Sequence, residues 1–335
     1  MPSKPAGGPA PTISAIVPNH NHGALLPRAV AALRAQDRPP DEIILVDDAS
    51  TDDSAEAIDR LAARHPELIA VRLSNNVGVL GAFEAGLQRA TGDWFYGAGA
   101  DDEVLPGFFR AADTLIRGNP LLGIVCGQVR CAFDDHRGEE LQTLPGVTAD
   151  TVLQPDAARR LLDRTEAGAS LSAATLYRRT AFDAAGGFPR ELGPWADTFI
   201  ARVLAVRHGL GYLALPCVRW HVRTQSYSHR RAADCSHMRE LGDRAVDLLR
   251  RPPLAGLFDD DEIRRWRTRW ELEMAGGFDE LRETVVPRRL RDARRAYAEL
   301  GRAGNPIDRL LSAALRRAFA RSDAKRLRSD PGYAP

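Results

Sequence analysis

Cysteine is scarce in this chain: Cys126, Cys131, Cys217 and Cys235 are spread over 335 residues with no CxxC pair among them. That spacing argues against a disulfide framework and against a zinc site, and a reducing cytoplasm is the expectation. Long apolar runs are also lacking. No stretch approaches the roughly 20 residues a spanning helix needs, and Met1 to Pro11 is a Pro/Gly/Ala tail without a signal-like apolar core. The chain is therefore expected to stay inside the cell, with at most peripheral contact at the inner face of the membrane. Net charge is nearly absent at +1, but the balance is uneven. Arg288 to Arg328 holds 13 Lys/Arg against 4 Asp/Glu, a local +9, and the remainder carries −8. Anionic partners are thus a question for the C-terminus alone. Missing too is a GxGxxG after the first apolar run, which disfavours a dinucleotide-binding fold of the usual kind.

What is present is an ordinary soluble composition, 44% apolar and 27% charged, in a chain long enough for one large domain or two smaller ones. Thr12 to Pro18 is a β-branched run closed by proline and reads as a strand. Leu26, Ala29, Val30 and Leu33 recur at helical spacing before Pro39-Pro40. Glu42 to Val46 is a second strand, apolar as if covered on both faces, and it ends in Asp47-Asp48. Asp52 or Thr51 is placed to cap the helix that follows. Leu68 to Leu73 reads as strand, Ser74 to Gly81 as a Gly/Asn loop, and Ala82 to Ala90 as a short helix. Trp94 to Tyr96 is a fourth strand, breaking into Gly97-Ala98-Gly99-Ala100 and then Asp101-Asp102-Glu103. Repeated strand and helix with apolar strands predict an α/β, doubly wound, mainly parallel sheet.

Polar groups cluster after the first, second and fourth strands, where open α/β sheets bind ligands. The plainer alternative for Asp101 to Glu103 is that these acids begin the helix after Pro106, since acids favour a helix N-terminus. Further on, Asp134 to Thr151 is an irregular polar insertion. Ala173 to Tyr177 reads as strand and Arg179 to Ala185 as helix. Gly186-Gly187-Phe188-Pro189 is a turn, and a helix runs from about Thr198 to His208. Tyr212 to Leu215 and Val218 to Val222 are extended, and Ser226 to Arg231 is a loop able to fold over a ligand. Beyond about Ala233 the pattern turns helical and Arg-rich. The expected division is a tail over 1–11, a catalytic domain over 12–232 and a helical region over 233–335.

Five blocks in order resemble the family 2 glycosyltransferases, nucleotide-sugar-dependent enzymes of the GT-A fold. They are Val17-Pro18-Asn19-His20-Asn21; Val46 to Asp52 for "VDDGSTD"; Asn76-Val77-Gly78 with Ala82 and Gly86; Ala100 to Pro106 for the "DxDD" segment; and Gly186-Gly187-Phe188 with Asp197 for "GGF…ED". The resemblance implies Asp197 as general base and Asp101 as the ligand of a divalent metal, Mn or Mg. It implies Pro18, Asn19, Asn21, Asp47, Asp48, Asn76, Gly78, Asp102, His221 and Arg223 as donor-binding residues, with Asp47 and Asp48 at the uracil and ribose. Helix capping by Asp48 and a surface turn at Asp197 are the bland alternatives.

The chain departs from the pattern at Gly99, where the first DxD acid is missing, at Glu84 and Ala196, and in the exchanged order of His221-Val222-Arg223. The implied reaction is inverting transfer of a sugar from a nucleoside-diphosphate donor, with a UDP-linked one expected, to a carbohydrate or lipid-linked acceptor in cell-surface polysaccharide or glycoconjugate synthesis. A non-catalytic nucleotide-sugar binder would account for Gly99. A sugar nucleotidyltransferase would need a Gly-rich loop with Lys or Arg after the first strand, and Asn19 to Gly23 has none. Asn305-Pro306 opens a helix with an apolar stripe, Ile307, Leu310, Leu311, Ala314, Leu315, Ala318 and Phe319, flanked by arginines. That helix suits an anionic membrane surface or a second subunit, and without an aromatic platform it does not suit nucleic acid.

Overall fold

The computed structural model describes residues 10–133, 138–144, 146–162, 172–222 and 235–267. The chain divides into two compact units, 1–266 and 267–335. Past Arg267 the second, with the apolar stripe at Ile307 to Phe319, lies outside the described residues, as do Arg223 and the loop Ser226 to Arg231.

The first unit is built on a ten-stranded sheet. Strands β1 (Ile13–Asn19), β2 (Glu42–Asp47), β3 (Leu68–Arg72) and β4 (Trp94–Gly97) pair in parallel in the order β3-β2-β1-β4. Buried residues run almost unbroken through β1 and β2, as strands covered on both faces require. On one face Ile13, Ala15, Val17, Ile43 and Leu45 meet Leu26, Val30 and Leu33 of helix α1 (Leu26–Arg34) and Ala57 and Ile58 of α2 (Ser54–Arg64). On the other lies α3 (Gly78–Arg89), where a Cβ on Gly86 would stand 2.5 Å from Ile16 and 2.9 Å from Val46. Only glycine lets α3 sit this close to the sheet.

The second half of the sheet is mixed. β9 (Thr175–Arg178) enters antiparallel between β4 and β6 (Ile124–Phe133), and β10 (Leu210–Val222) runs parallel to β6. β10 is one strand with irregular register around Pro216, where two extended pieces were expected. The polar insertion contains two further strands, β7 (Glu139–Gln142) beside β6 and β8 (Thr151–Leu153) beside β10. β5 (Glu103–Val104) pairs antiparallel with Val218 and Arg219 of β10.

That pairing disposes of the plainer reading of the acids. Helix α4 (Phe108–Gly118) starts from Gly107, which adopts φ 91°, and has no acid in its first turn. Asp101 and Asp102 sit in the turn before β5 instead. The other helices include α5 (Pro155–Leu162), α6 (Arg179–Ala184), α7 (Ala196–His208) and α8 (Cys235–Leu249), with a 3₁₀ turn over Arg190–Trp195 ahead of α7, and residues 260–267 are helical as well.

Candidate active site

The β1–β2 register places Asn19 directly beside Asp47 at the carboxyl ends of their strands. Both are buried, as is Asp48. The Asn19 amide donates to Ser50 Oγ at 3.3 Å, while its Oδ1 is buried with no hydrogen-bond partner. Ser50 Oγ also accepts from the Asn21 backbone N–H, and Asn21 Oδ1 accepts from Thr51 N–H at 2.7 Å. Asn21 and Ala49 both hold positive φ, 59° and 52°. Ala49 stands at the glycine of the family pattern, in a conformation that disfavours a side chain by about 1–2 kcal/mol.

Asp48 accepts the Val77 N–H at 2.7 Å on one oxygen and the Gly78 N–H at 2.9 Å on the other. An anion thus caps the N-terminus of α3 from another strand end, where exposed N–H groups and the helix dipole both favour negative charge. This is why α3 begins at Gly78, one turn earlier than the local pattern predicts. Capping by Asp48 is therefore real, although the helix is not the one that follows it in sequence. Asn76 Oδ1 accepts from Gly78 N–H as well, at 3.0 Å. Asp52 does serve the helix after it, accepting Ser54 N–H at 3.0 Å while also accepting Gly23 N–H. Pro18 is half-buried at the end of β1.

A second group lies beyond β4. Asp102 Oδ1 accepts the His221 backbone N–H at 3.0 Å, tying the acidic turn to β10. A Cβ at Gly99 would fall 2.4 Å from Asp102 Oδ2 and 3.3 Å from Asp101 Oδ1. The carboxylate of Asp102 thus fills the space that a side chain at 99 would take. Arg28 of α1 donates to the Asp101 carbonyl at 2.7 Å and holds the turn from behind.

Among the described residues no three His, Cys, Asp or Glu side chains converge as a protein metal cage. The adjacent carboxylates of Asp101 and Asp102, beside Gly99, are hard-oxygen ligands of the kind Mg or Mn takes, since these ions bind through one or two carboxylates plus substrate phosphates and water. The residues therefore fit a cation that arrives with a diphosphate. Burial pushes the Cys126 thiol up to about 12 and Cys131 up to about 11, so neither supplies a nucleophile near neutral pH.

Asp197 occupies the first turn of α7, reached from the Gly186-Gly187 turn (φ 93° and 76°) through the 3₁₀ segment. The bland surface-turn reading does not describe it: the residue is half-buried and its carboxyl group is surrounded by protein. Burial raises its pKa to about 6, against the opposing hydrogen bonds from the Thr198 N–H at 2.6 Å and the Thr198 hydroxyl. Tyr177 is buried with no partner for its hydroxyl, and its pKa is pushed well up, first by burial and then by the charge of Asp197.

The site residues named from sequence thus form two described groups, Pro18 to Asp48 with Asn76 and Gly78, and Asp101, Asp102 and His221, with Asp197 on α7. Sequence reasoning assigned no role to Ser50, Arg28 or Tyr177. Ser50 stood inside a named block, whereas Arg28 and Tyr177 carried no local signal.

The family model described as Glycosyl transferase family 2 matches residues 14–186, just over half of the chain. The chain belongs to glycosyl transferase family 2. An uncharacterized glycosyltransferase of Nostoc sp. is 34% identical over 113 residues, covering 34% of this chain and 35% of that protein. The PGL/p-HBAD biosynthesis glycosyltransferase of Mycobacterium tuberculosis is 32% identical over 114 residues, covering 34% of this chain and 43% of the relative. The chain thus matches less than half the length of these curated relatives. Among solved structures, S. aureus TarS in complex with UDP-GlcNAc aligns over 94% of this chain and 92% of its own, with a TM-score of 0.53 and 16% identity. That likeness is one of fold, and the fold of this family 2 chain is the GT-A arrangement of a mixed central sheet flanked by helices.

Proposed function

We propose that the protein transfers a sugar from a nucleoside-diphosphate donor to an acceptor hydroxyl with inversion at the anomeric carbon. The observation that carries this reading is Asp197, a carboxylate behind the GGF turn whose burial puts its pKa at about 6. Such a group is ionised at neutral pH yet basic enough to accept a proton as the acceptor oxygen attacks, and general-base help of this kind contributes roughly 100- to 10,000-fold. Attack from the face opposite the leaving diphosphate inverts the centre.

The nucleoside end of the donor binds at the carboxyl ends of β1 and β2. There the unpartnered Asn19 Oδ1 accepts a hydrogen bond from it, and Asp47 faces the same space. Asp48 contributes indirectly: with both oxygens on the Val77 and Gly78 N–H groups, it fixes the start of α3 beside the donor. Asp101 would hold a divalent cation, with Asp102 beside it; His221, and Arg223 from outside the described residues, are the proposed contacts of the diphosphate. When bound, that cation supplies charge neutralisation at the leaving group. Asp102 in the space beside Gly99 supplies a carboxylate where the family pattern has its first acid, which favours an enzyme over a non-catalytic binder.

In our reading the donor is UDP-linked, since TarS of the same fold was solved with UDP and with UDP-GlcNAc. The acceptor is a growing glycan or a lipid-linked sugar. Its supports are names: amylovoran biosynthesis for a relative in Erwinia amylovora and undecaprenyl-phosphate sugar transfer for one in Pectobacterium carotovorum. No helix of the described residues is long and apolar enough to cross a membrane. In our reading the basic C-terminal region, with its local +9, is what would bring the enzyme to an anionic surface carrying such an acceptor. The test is a thermal-shift screen of nucleoside diphosphates with and without manganese, because a ligand of the folded state raises its apparent stability. It is followed by an assay of nucleoside diphosphate release with glycan and lipid-linked acceptors. Binding without release under every acceptor would refute the transferase reading.

A further inference from the structure

Glu84 and Arg190 stand 106 residues apart in the chain and meet face to face. Arg190 Nε donates to both oxygens of Glu84 at 3.0 Å, and Nη2 donates to Oε2. Glu84 belongs to α3, the helix whose N-terminus Asp48 caps, and it replaces the asparagine of the family pattern. Arg190 opens the 3₁₀ turn that leads to Asp197. The neighbours of the pair close the same gap. Phe83 meets Phe188 of the GGF turn edge-on at 5.2 Å, and Phe188 packs in turn on Phe182 at 4.8 Å and Tyr177 at 5.8 Å.

Between Arg190 and Asp197 the chain is short and anchored: Leu192 is buried, Pro194 fixes its own φ, and Gly193, at φ 52° and ψ −124°, makes a bend open to glycine. A displacement of Arg190 would reach the start of α7 through these few residues. The pair itself is exposed, with 32% of the Glu84 side chain and 59% of the Arg190 side chain accessible. Exposed pairs add little to stability, so the fork geometry finds its use elsewhere. Arginine and carboxylate in bidentate contact fix orientation as well as distance.

We propose that Glu84 and Arg190 are a positioning pair that holds the Arg190–Asp197 segment against α3, and so sets the acceptor-side carboxylate relative to the donor. The proposal rests on the reading of Asp197 as the base. Misplacement of a reacting group by about 1 Å can lower a rate ~100-fold, so the pair has room to matter without touching substrate.

The experiment compares Glu84→Ala, Arg190→Ala and the reversed double variant Glu84→Arg/Arg190→Glu in the full chain. Expected for each single variant is a fall in kcat of about tenfold or more with donor KM within about twofold, as for a group acting only in the transition state. Hydrogen exchange of the backbone amides in 192–198, Pro194 having none, should quicken, and the reversed pair should restore both readings in large part. A merely structural surface pair would leave kcat within twofold of the parent, and that result overturns the proposal. So does a kcat loss that the reversed pair does not recover, or one accompanied by unchanged exchange at 192–198. If the parent itself releases no nucleoside diphosphate with any acceptor, the reaction reading fails, and with it the catalytic role of the pair. Exchange at 192–198 then still reports whether the pair holds the segment.

Discussion

Asp197→Asn is the substitution with the most to say, because it acts on stability and on turnover in opposite directions. In the folded protein the carboxyl has a pKa of about 6, against the ordinary value of 3.8. The folded state therefore binds this proton more tightly than the unfolded chain does, and stability falls as pH rises from about 4 to about 6. A difference of roughly two pKa units corresponds to about 3 kcal/mol in full, of which about 2 is lost between pH 4.5 and pH 8. Asparagine cannot ionise, and its Oδ1 can still accept the Thr198 N–H.

The variant should thus be more stable than the parent by about 2–3 kcal/mol at pH 8, with the gain shrinking towards pH 4.5. Urea unfolding at intervals across that range measures it. In the parent, turnover should rise with pH through about 6 and then level off, while the variant binds donor as the parent does and loses most turnover. Parallel stability profiles for parent and variant would refute the desolvated carboxylate. A uniform loss of donor binding with turnover per bound donor intact would refute the base.

Asp48→Ala leaves the Val77 N–H without its acceptor and the Gly78 N–H with Asn76 Oδ1 alone, so unfolding stability should drop by about 0.5–2 kcal/mol, as for a lost helix cap, along with donor affinity. Asp47→Ala should weaken nucleotide binding with a smaller stability change, and calorimetry beside urea titration separates the two. Asp101→Asn should remove the difference in donor affinity made by adding a chelator, as titration with a fluorescent nucleotide would record. Gly86→Ala sets a methyl 2.5 Å from Ile16, and overpacking of that kind should destabilise by about 1–3 kcal/mol despite the better helix propensity of alanine, a shift readable as a lower Tm.

Much was legible from local sequence. The runs Ile13 to Val17 and Ile43 to Val46 name themselves as strands because both faces of those strands are buried, so nearly every residue is apolar. The segments ending in Asn19, Asp47 and Asp101 could be placed at the strand ends because parallel strands all present their carboxyl ends to one edge. The resemblance to family 2 rested on those same segments, whose chemistry lies in short contiguous stretches.

Tertiary structure decided whatever depends on a partner far along the chain. The start of α3 is set by Asp48, and Glu103 and Val104 become a strand only because Val218 and Arg219 lie alongside. Glu84, a bare departure from the pattern in sequence, acquires its partner Arg190 only in the folded chain. The raised pKa of Asp197 is likewise invisible in the residues around it. Periodicity records which residues face the core, but a cap, an ion pair or a desolvated carboxylate depends on which other segment the fold brings within a few ångströms, and that leaves no periodic trace.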